Sequence, residues 1–141
     1  MANVIPFAFR GELFTGTHNF ASGGDSFKLA LYTANPYNTS STVYSATSEV
    51  SASGTNYTTT GNTLSGNAVA YGTAVASCDF DDSTWSSATF TAAYGAIYND
   101  TQLDKLCVVL DFSGNKTATN GTFTVTFPSQ STPADAIISM A

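Results

Sequence analysis

Few side chains in this sequence could perform acid–base, nucleophilic or metal chemistry, and their spacing limits what that chemistry could be. The single histidine, His18, sits in "FTGTHNFASGGD", a Gly- and Ser-rich connector with no nucleophile motif around it. A catalytic imidazole needs a reacting group on one ring nitrogen and an orienting partner on the other, so a loop or capping role is expected for His18. Glu12 and Glu49 are the only glutamates and neither adjoins an aspartate; a glycosidase-type carboxylate pair would have to be assembled wholly by the fold. Asp79, Asp81 and Asp82 cluster in "CDFDDS" and could approach a hard cation. Calcium needs six or more oxygens, however, and the ligand order of an EF-hand is missing, so a solvated acidic turn is expected. With no C-x-x-C, H-E-x-x-H, P-loop or G-x-G-x-x-G, the expectation is no catalytic residues, no cofactor and no metal.

The aromatic stretch "TWSSATFTAAYGAIYND", residues 84–100, holds the only tryptophan. Trp85 with Tyr94 or Tyr98 could stack a sugar ring, but indole and phenol groups are buried on average. Trp85 and Phe90 are therefore expected in the core. Cys78 and Cys107 are expected as buried free thiols rather than a disulfide, because no export signal accompanies them.

These groups must be positioned by a polar yet foldable chain of 141 residues, enough for one domain with its own core. Charged residues are only 10%, while hydrophobic residues are 43% and aromatics 13%, too much apolar area for a disordered chain. The net charge is −6, and the only cations are Arg10, Lys28, Lys105 and Lys116. No basic face exists to displace counterions from a phosphate backbone, so nucleic acid is not expected as a partner. No apolar run reaches the length of a membrane span, and "MANVIPFAFRGELF" lacks the basic start and long apolar core of a signal peptide; no membrane partner is expected, and synthesis in the cytosol is.

Alternation with period two outweighs helical periodicity. "FKLALYT" sets Phe27, Leu29 and Leu31 against Lys28, Ala30 and Tyr32, and "GTFTVTF" sets Phe123, Val125 and Phe127 against Thr122, Thr124 and Thr126. "KLCVVLDF" is apolar on both faces, with Leu106, Val108, Leu110 and Phe112 opposite Cys107 and Val109, as for a central strand covered twice. Turn signals in "ANPYN", "SGTNY", "TGN", "SGN" and "TNG" separate the strands. The Thr-rich "SGTNYTTTGNTLSG" is expected as a surface hairpin or loop anchored by Tyr57 and Leu64. The opening aromatic stretch is expected to split into two strands, with Gly95 as a bulge. The pattern predicts an all-β domain, a single β-sandwich or jelly roll. Its core is expected to include Phe27, Leu29, Leu31, Trp85, Phe90, Ile97, Val108, Leu110, Phe123, Val125 and Phe127. Residues 1–24 form an arm of the same domain with a short helix, lined by Phe9, Leu13 and Phe14 and ending near Gly16; residues 25–141 form the sandwich. The apolar segment Val4 to Phe9 either closes a sheet edge or reaches a neighbouring subunit. Val4, Ile5, Phe7 and Phe9 are accordingly the candidate partner-binding residues.

The succession "FRGELFTGTHNF", "DSFKLALYT", "EVSASGTNYTTTGNTLSG", "TWSSATFTAAYGAIY" and "LCVVLDFSGNKTATNGTFTVTF" resembles small β-rich virion structural proteins of tailed bacteriophages and prophages, over almost the whole chain. The resemblance implies a non-enzymatic particle component made in the host bacterial cytoplasm. It would be a homo-oligomer or lattice-bound subunit, contacting copies of itself and other virion proteins, above all the major capsid protein. The resemblance places such a component on the capsid or in the tail apparatus, and the neutral, Thr-rich surface favours a capsid decoration or cement role. A tail, baseplate or fibre location, or a carbohydrate-binding module that meets a host surface glycan, is the alternative.

Overall fold

The computed structural model describes residues 3–129 and 136–140; residues 1–2 of the expected arm, and 130–135 and 141 of the expected sandwich, lie outside the described residues. A helix α1 (Phe7–Phe14) precedes seven strands: β1 (Phe27–Tyr32), β2 (Asn62–Thr63), β3 (Ala68–Tyr71), β4 (Ala76–Asp79), β5 (Ser83–Asn99), β6 (Lys105–Val125) and β7 (Ile138–Met140). They build two antiparallel sheets, a large one in the order β2-β1-β5-β6 and a small one in the order β3-β4-β7. The fold is all-β and sandwich-like, as the alternation predicts.

All eleven expected core residues are buried. They belong to one apolar cluster that also takes in Phe9, Phe20, Phe80 and Ile138. The other face of the large sheet carries a second cluster of Ala30, Tyr32, Tyr37, Ala96, Tyr98, Leu106 and Val109. β1 and the paired ends of β5 and β6 are thus covered on both faces.

Several local expectations give way to a simpler architecture. The aromatic stretch is one strand of 17 residues rather than two, and it pairs along its length with the 21-residue β6. "SGN" occurs twice: at 65–67 it connects β2 to β3, with Gly66 at φ +68°, as expected, but the second copy at 113–115 and "TNG" are not turns between strands. They fall inside β6, where Ser113, Gly114 and Asn120 take positive φ and the register slips against β5. Gly and Asn tolerate positive φ, and a bulge uses that tolerance as readily as a turn does. The reversal between β5 and β6 is made instead at Leu103 and Asp104, with φ of 57° and 58° and an N–H of Lys105 donating to Gln102 O, the positive-φ pair of a tight hairpin turn.

Gly95 is not a bulge. It pairs with Leu31 and Leu110, and a Cβ there would come within 3.1 Å of both Leu29 Cδ1 and Phe112 Cζ; glycine serves close packing across the sheet. The β5–β6 register slips beside it, between Ala92, opposite Lys116, and Tyr94, opposite Asp111, and again further along, where Ile97 pairs with Val108 but Tyr98 with Leu106. The extra residue of this second slip is Cys107, and it rephases the strand: Cys107, Val108 and Leu110 join the main cluster, whereas Leu106 and Val109 join the second. The strict alternation expected for "KLCVVLDF" is broken there, although both faces are buried as expected. β6 is also not central. It is the outer strand of the large sheet, shielded at its first half by Val4, which exchanges backbone hydrogen bonds of 2.9 and 2.8 Å with Val109, and by Thr42 O, which accepts from Leu106 N.

Helix α1 forms where expected, and Phe9 and Leu13 face inward. Phe14 does not: it is 93% exposed, because it lies five residues beyond Phe9, about 140° around a 3.6-residue helix. The arm packs at home. Val4 bridges Val109, Ile5 lies against the main cluster and Phe9 is fully buried. Of the four residues expected to meet a neighbour, Phe7 alone is exposed. The loop of residues 51–61 is anchored by buried Tyr57, with Leu64 just beyond β2, and its Thr55 and Asn56 bond the backbone of β5.

Candidate functional site

The acidic and imidazole groups gather in two polar clusters that no local motif announces. The first lies under helix α1. The helix ends at Thr15, Gly16 takes φ +68°, and the chain returns His18 beneath it. Glu12, on the last turn of α1, accepts from His18 Nε2 at 2.8 Å and from Lys105 Nζ at 2.5 Å. Asn99, at the end of β5, donates through Nδ2 to His18 Nδ1 at 2.9 Å and to Asp25 Oδ2 at 2.8 Å, and its Oδ1 accepts from Gln102 N. The donor on Nδ1 fixes the ring proton on Nε2, facing Glu12. The bulged Cys107 places Sγ 4.0 Å from His18 Nδ1.

Thiol, imidazole and carboxylate therefore stand in the order of a cysteine triad, but the environment opposes catalysis. Cys107 is fully buried. Burial first, then electrostatic repulsion from the neighbouring Cys78 thiol and the Glu12 and Asp25 carboxylates, push its thiol well above the usual range, whereas a nucleophilic cysteine needs its thiolate favoured. Nδ1 is taken by Asn99, and the ring is packed between Phe9 (centroids 5.0 Å) and Phe20 (6.1 Å). Burial would raise the Glu12 carboxyl, yet the hydrogen bonds from Lys105 and His18 outweigh it and leave it below its ordinary value. Asp25 is likewise lowered, burial being outweighed by Asn99, Asn19 N and Gln102. This cluster is a polar rivet between the helix, the connector and the two long strands.

The second cluster centres on Glu49, which accepts from Tyr44 Oη (2.6 Å), Tyr57 Oη (2.7 Å) and Thr60 N (2.8 Å). Tyr57 Oη in turn accepts from Leu31 N at 3.0 Å. Tyr32 and Tyr37 share a hydrogen bond of 2.7 Å beside Ser45 O. Burial, with Glu49 nearby, raises the phenols of Tyr32, Tyr44 and Tyr57. Glu12 and Glu49 thus serve separate sets of partners.

The three aspartates of "CDFDDS" diverge. Asp79 is on β4, Asp81 accepts from Ser65 Oγ (3.1 Å), and Asp82 accepts from Phe127 N (2.9 Å). Among the described residues, no group of three His, Cys, Asp or Glu side chains could hold a metal ion. Cys78 and Cys107 are free, buried thiols, and burial beside Asp79 pushes Cys78 up to about 12. Trp85 is only 3% exposed, among Tyr57, Phe90 and Phe123. Trp85 belongs to the main cluster and Tyr98, with half-buried Tyr94, to the second, so the rings that could have made a sugar platform lie on opposite faces of the sheet.

Two grooves open on the described surface. One of about 620 Å³ runs beside the bend of β6, lined by Leu110, Phe112, Lys116, Phe123, Phe127 and Ile137 among others. The other, about 110 Å³, is almost wholly apolar and is lined by Leu13, Phe20, Val69, Cys78, Ile138 and Met140. Neither is lined by Glu12, His18, Cys107 or Glu49. Sequence reasoning missed the His18 rivet because Asn99 and Cys107 lie 81 and 89 residues away. It missed the apolar end of the small sheet because "AVAYGTAVAS" carries neither a charge nor a clean alternation. Set against protein-family models, curated proteins and solved structures, the chain matches none.

Proposed function

We propose that this chain is a non-enzymatic virion structural protein of a tailed bacteriophage or prophage, a capsid decoration or cement protein that binds and stabilises the assembled head. One observation carries this reading beyond the resemblance of sequence blocks. Among the described residues His18, both glutamates and both cysteines are held in buried or hydrogen-bonded clusters, while large apolar side chains stand outside the fold: Phe14, Tyr71 and Leu103 are each 85% exposed or more. A protein with sealed polar chemistry and apolar surface works by contact. A subunit that binds the assembled shell better than free parts stabilises the shell by mass action.

The test is the copy number in purified virions, measured by quantitative mass spectrometry against the major capsid protein. Hundreds of copies per particle, and loss of heat resistance in particles lacking the protein, are expected. A few to a few dozen copies would move the protein to the tail or baseplate, and absence from particles would sink the virion reading. Hydrolysis of host glycans by the purified chain, abolished by His18→Ala, would sink its non-enzymatic half.

A further inference from the structure

We propose that the groove along the outer edge of β6 is a strand-docking site, which takes an extended segment of a partner polypeptide carrying an acidic side chain. The groove of about 620 Å³ is lined by every residue from Phe123 to Pro128 in turn, and by Leu110, Asp111 and Phe112. Successive residues of a strand point to opposite faces, so a groove that touches all of them runs along the backbone edge and not over one face. Among the described residues none of β5 lines it; it follows the edge that β5 leaves open. β6 ends the order of its sheet. Its first half is shut by Val4 and Thr42, but from Lys116 to Val125 no described residue pairs with that side. The direction of the unpaired groups follows from Phe127, whose N–H donates to Asp82 Oδ1, beside the start of β5, at 2.9 Å. By the alternation of an antiparallel ladder, Phe123 and Val125 turn their N–H and C=O toward β5, and Thr124 and Thr126 turn theirs into the groove.

Three features select an extended acidic segment over other occupants. The first is the edge itself. Natural edges are blunted by charge, proline or a bulge, whereas Phe123, Thr124 and Val125 carry none of these and keep unbroken register with Trp85, Thr84 and Ser83. Donors and acceptors repeating at every second residue match the main chain of another strand. The second is the wall. Leu110, Phe112 and Ile137 line the same groove and can receive alternate side chains of an added strand, so that main-chain bonds supply affinity and side-chain pockets supply selectivity. The third is charge. Among the described residues Lys116, on the groove, is the one cation without a partner: Arg10 bonds Ile5 O, Lys28 meets Asp100 and Lys105 meets Glu12. The groove's own carboxylate, Asp111, accepts from Ser113 N. The ammonium of Lys116 is thus left for a carboxylate from outside. The same edge in a second copy, residues 112–128, has no carboxylate to offer it, so edge-to-edge pairing of two copies would leave this charge unmet.

This inference rests on the reading that the protein works by contact, and its test separates the two. The isotope-labelled full chain is titrated, by amide NMR, with a blocked peptide of about eight residues, an ordinary strand length, that alternates valine and threonine and ends in glutamate. The same peptide ending in lysine is the control. Saturating shifts of the Thr124 and Thr126 amides, and their protection from hydrogen exchange, are expected with a dissociation constant on the order of 0.1 mM. Lys116→Glu should weaken the glutamate peptide about threefold or more and reverse the preference between the two peptides, which a merely structural role would not do. Thr124→Pro removes an outward N–H, a change that an edge strand tolerates, and should weaken both peptides about tenfold while circular dichroism stays native. Should that variant fail to fold, the charge swap at exposed Lys116 decides alone. Groove amides unmoved by millimolar peptide overturn the proposal, as does binding that the folded variants leave unchanged. Concentration-dependent shifts of the same amides without peptide would make the occupant a second copy and overturn it too. Peptide held at this edge by a protein absent from virions would uphold the groove and refute the virion reading. Hundreds of copies per particle of a protein whose edge takes no peptide would do the reverse.

Discussion

The two sheets are built from similar residues and end in opposite states. In the large sheet, β1 and the facing ends of β5 and β6 have an apolar cluster on each side, and the edges of that part are shut by the two-residue β2, by Val4 and by Thr42. In the small sheet one row of a face, with Cys78 and Ile138, joins the core and the next, with Tyr71 and Met140, is left bare. The difference lies in length and partners. β1 pairs along its whole length with the 17-residue β5, itself paired with the 21-residue β6, whereas β3, β4 and β7 have three or four residues each and extend past the helix and connector that cover them. Saturated surface stabilises the fold, and unsaturated surface is available for contact.

The contrast is broken most forcefully inside the large sheet. Gly61 takes φ +82°, and a Cβ there would lie 2.0 Å from Leu29 O, with backbone rather than a flexible side chain in the way. Gly61→Ala should prevent stable folding or lower the melting temperature by many degrees, read by thermal circular dichroism; a change of under about 0.5 kcal/mol would show that the turn simply moves aside. Leu29→Ala or Ile97→Ala, both at fully buried positions, should each cost about 2–5 kcal/mol in chemical denaturation.

Next in size is the rivet beneath α1. Glu12→Gln keeps the shape but removes the charge that His18 and Lys105 bond, and a loss of about 1–3 kcal/mol is expected. The same groups set an acid limit. Glu12 and Asp25 have folded-state values below their ordinary 4.5 and 3.8, so their contribution is complete above the unfolded values and is lost as pH falls through the folded ones. Melting temperature should therefore be flat with respect to these groups above about pH 5 and fall below about pH 4. In Glu12→Gln that fall should be shallower, and an unchanged acid limb would remove Glu12 from the explanation. Smallest is the bare row: Tyr71→Ser should change the stability of the monomer by less than about 0.5 kcal/mol, against the several kcal/mol expected at Leu29. A large loss there would mean that Tyr71 supports the fold after all.

Side-chain period and composition were enough to determine the all-β class, the eleven core positions and the burial of Trp85, because each residue carries its hydrophobicity with it and a strand has only two faces. They also placed the helix before Gly16 and anchored the Thr-rich loop on Tyr57. Register belonged to the tertiary structure. "SGN" connects two strands at 65–67 and sits inside β6 at 113–115; which it does depends on what pairs across the sheet, and positive φ serves both. The phase of β6 after Cys107 depends on one inserted residue whose cost is met only by its neighbours. His18 is a hub because Asn99 and Cys107, 81 and 89 residues away, are brought to it at the hairpin end of β5 and β6. The bare face of the small sheet was hidden for the same reason: exposure is a property of what lies opposite a residue, and no local stretch of sequence contains that information.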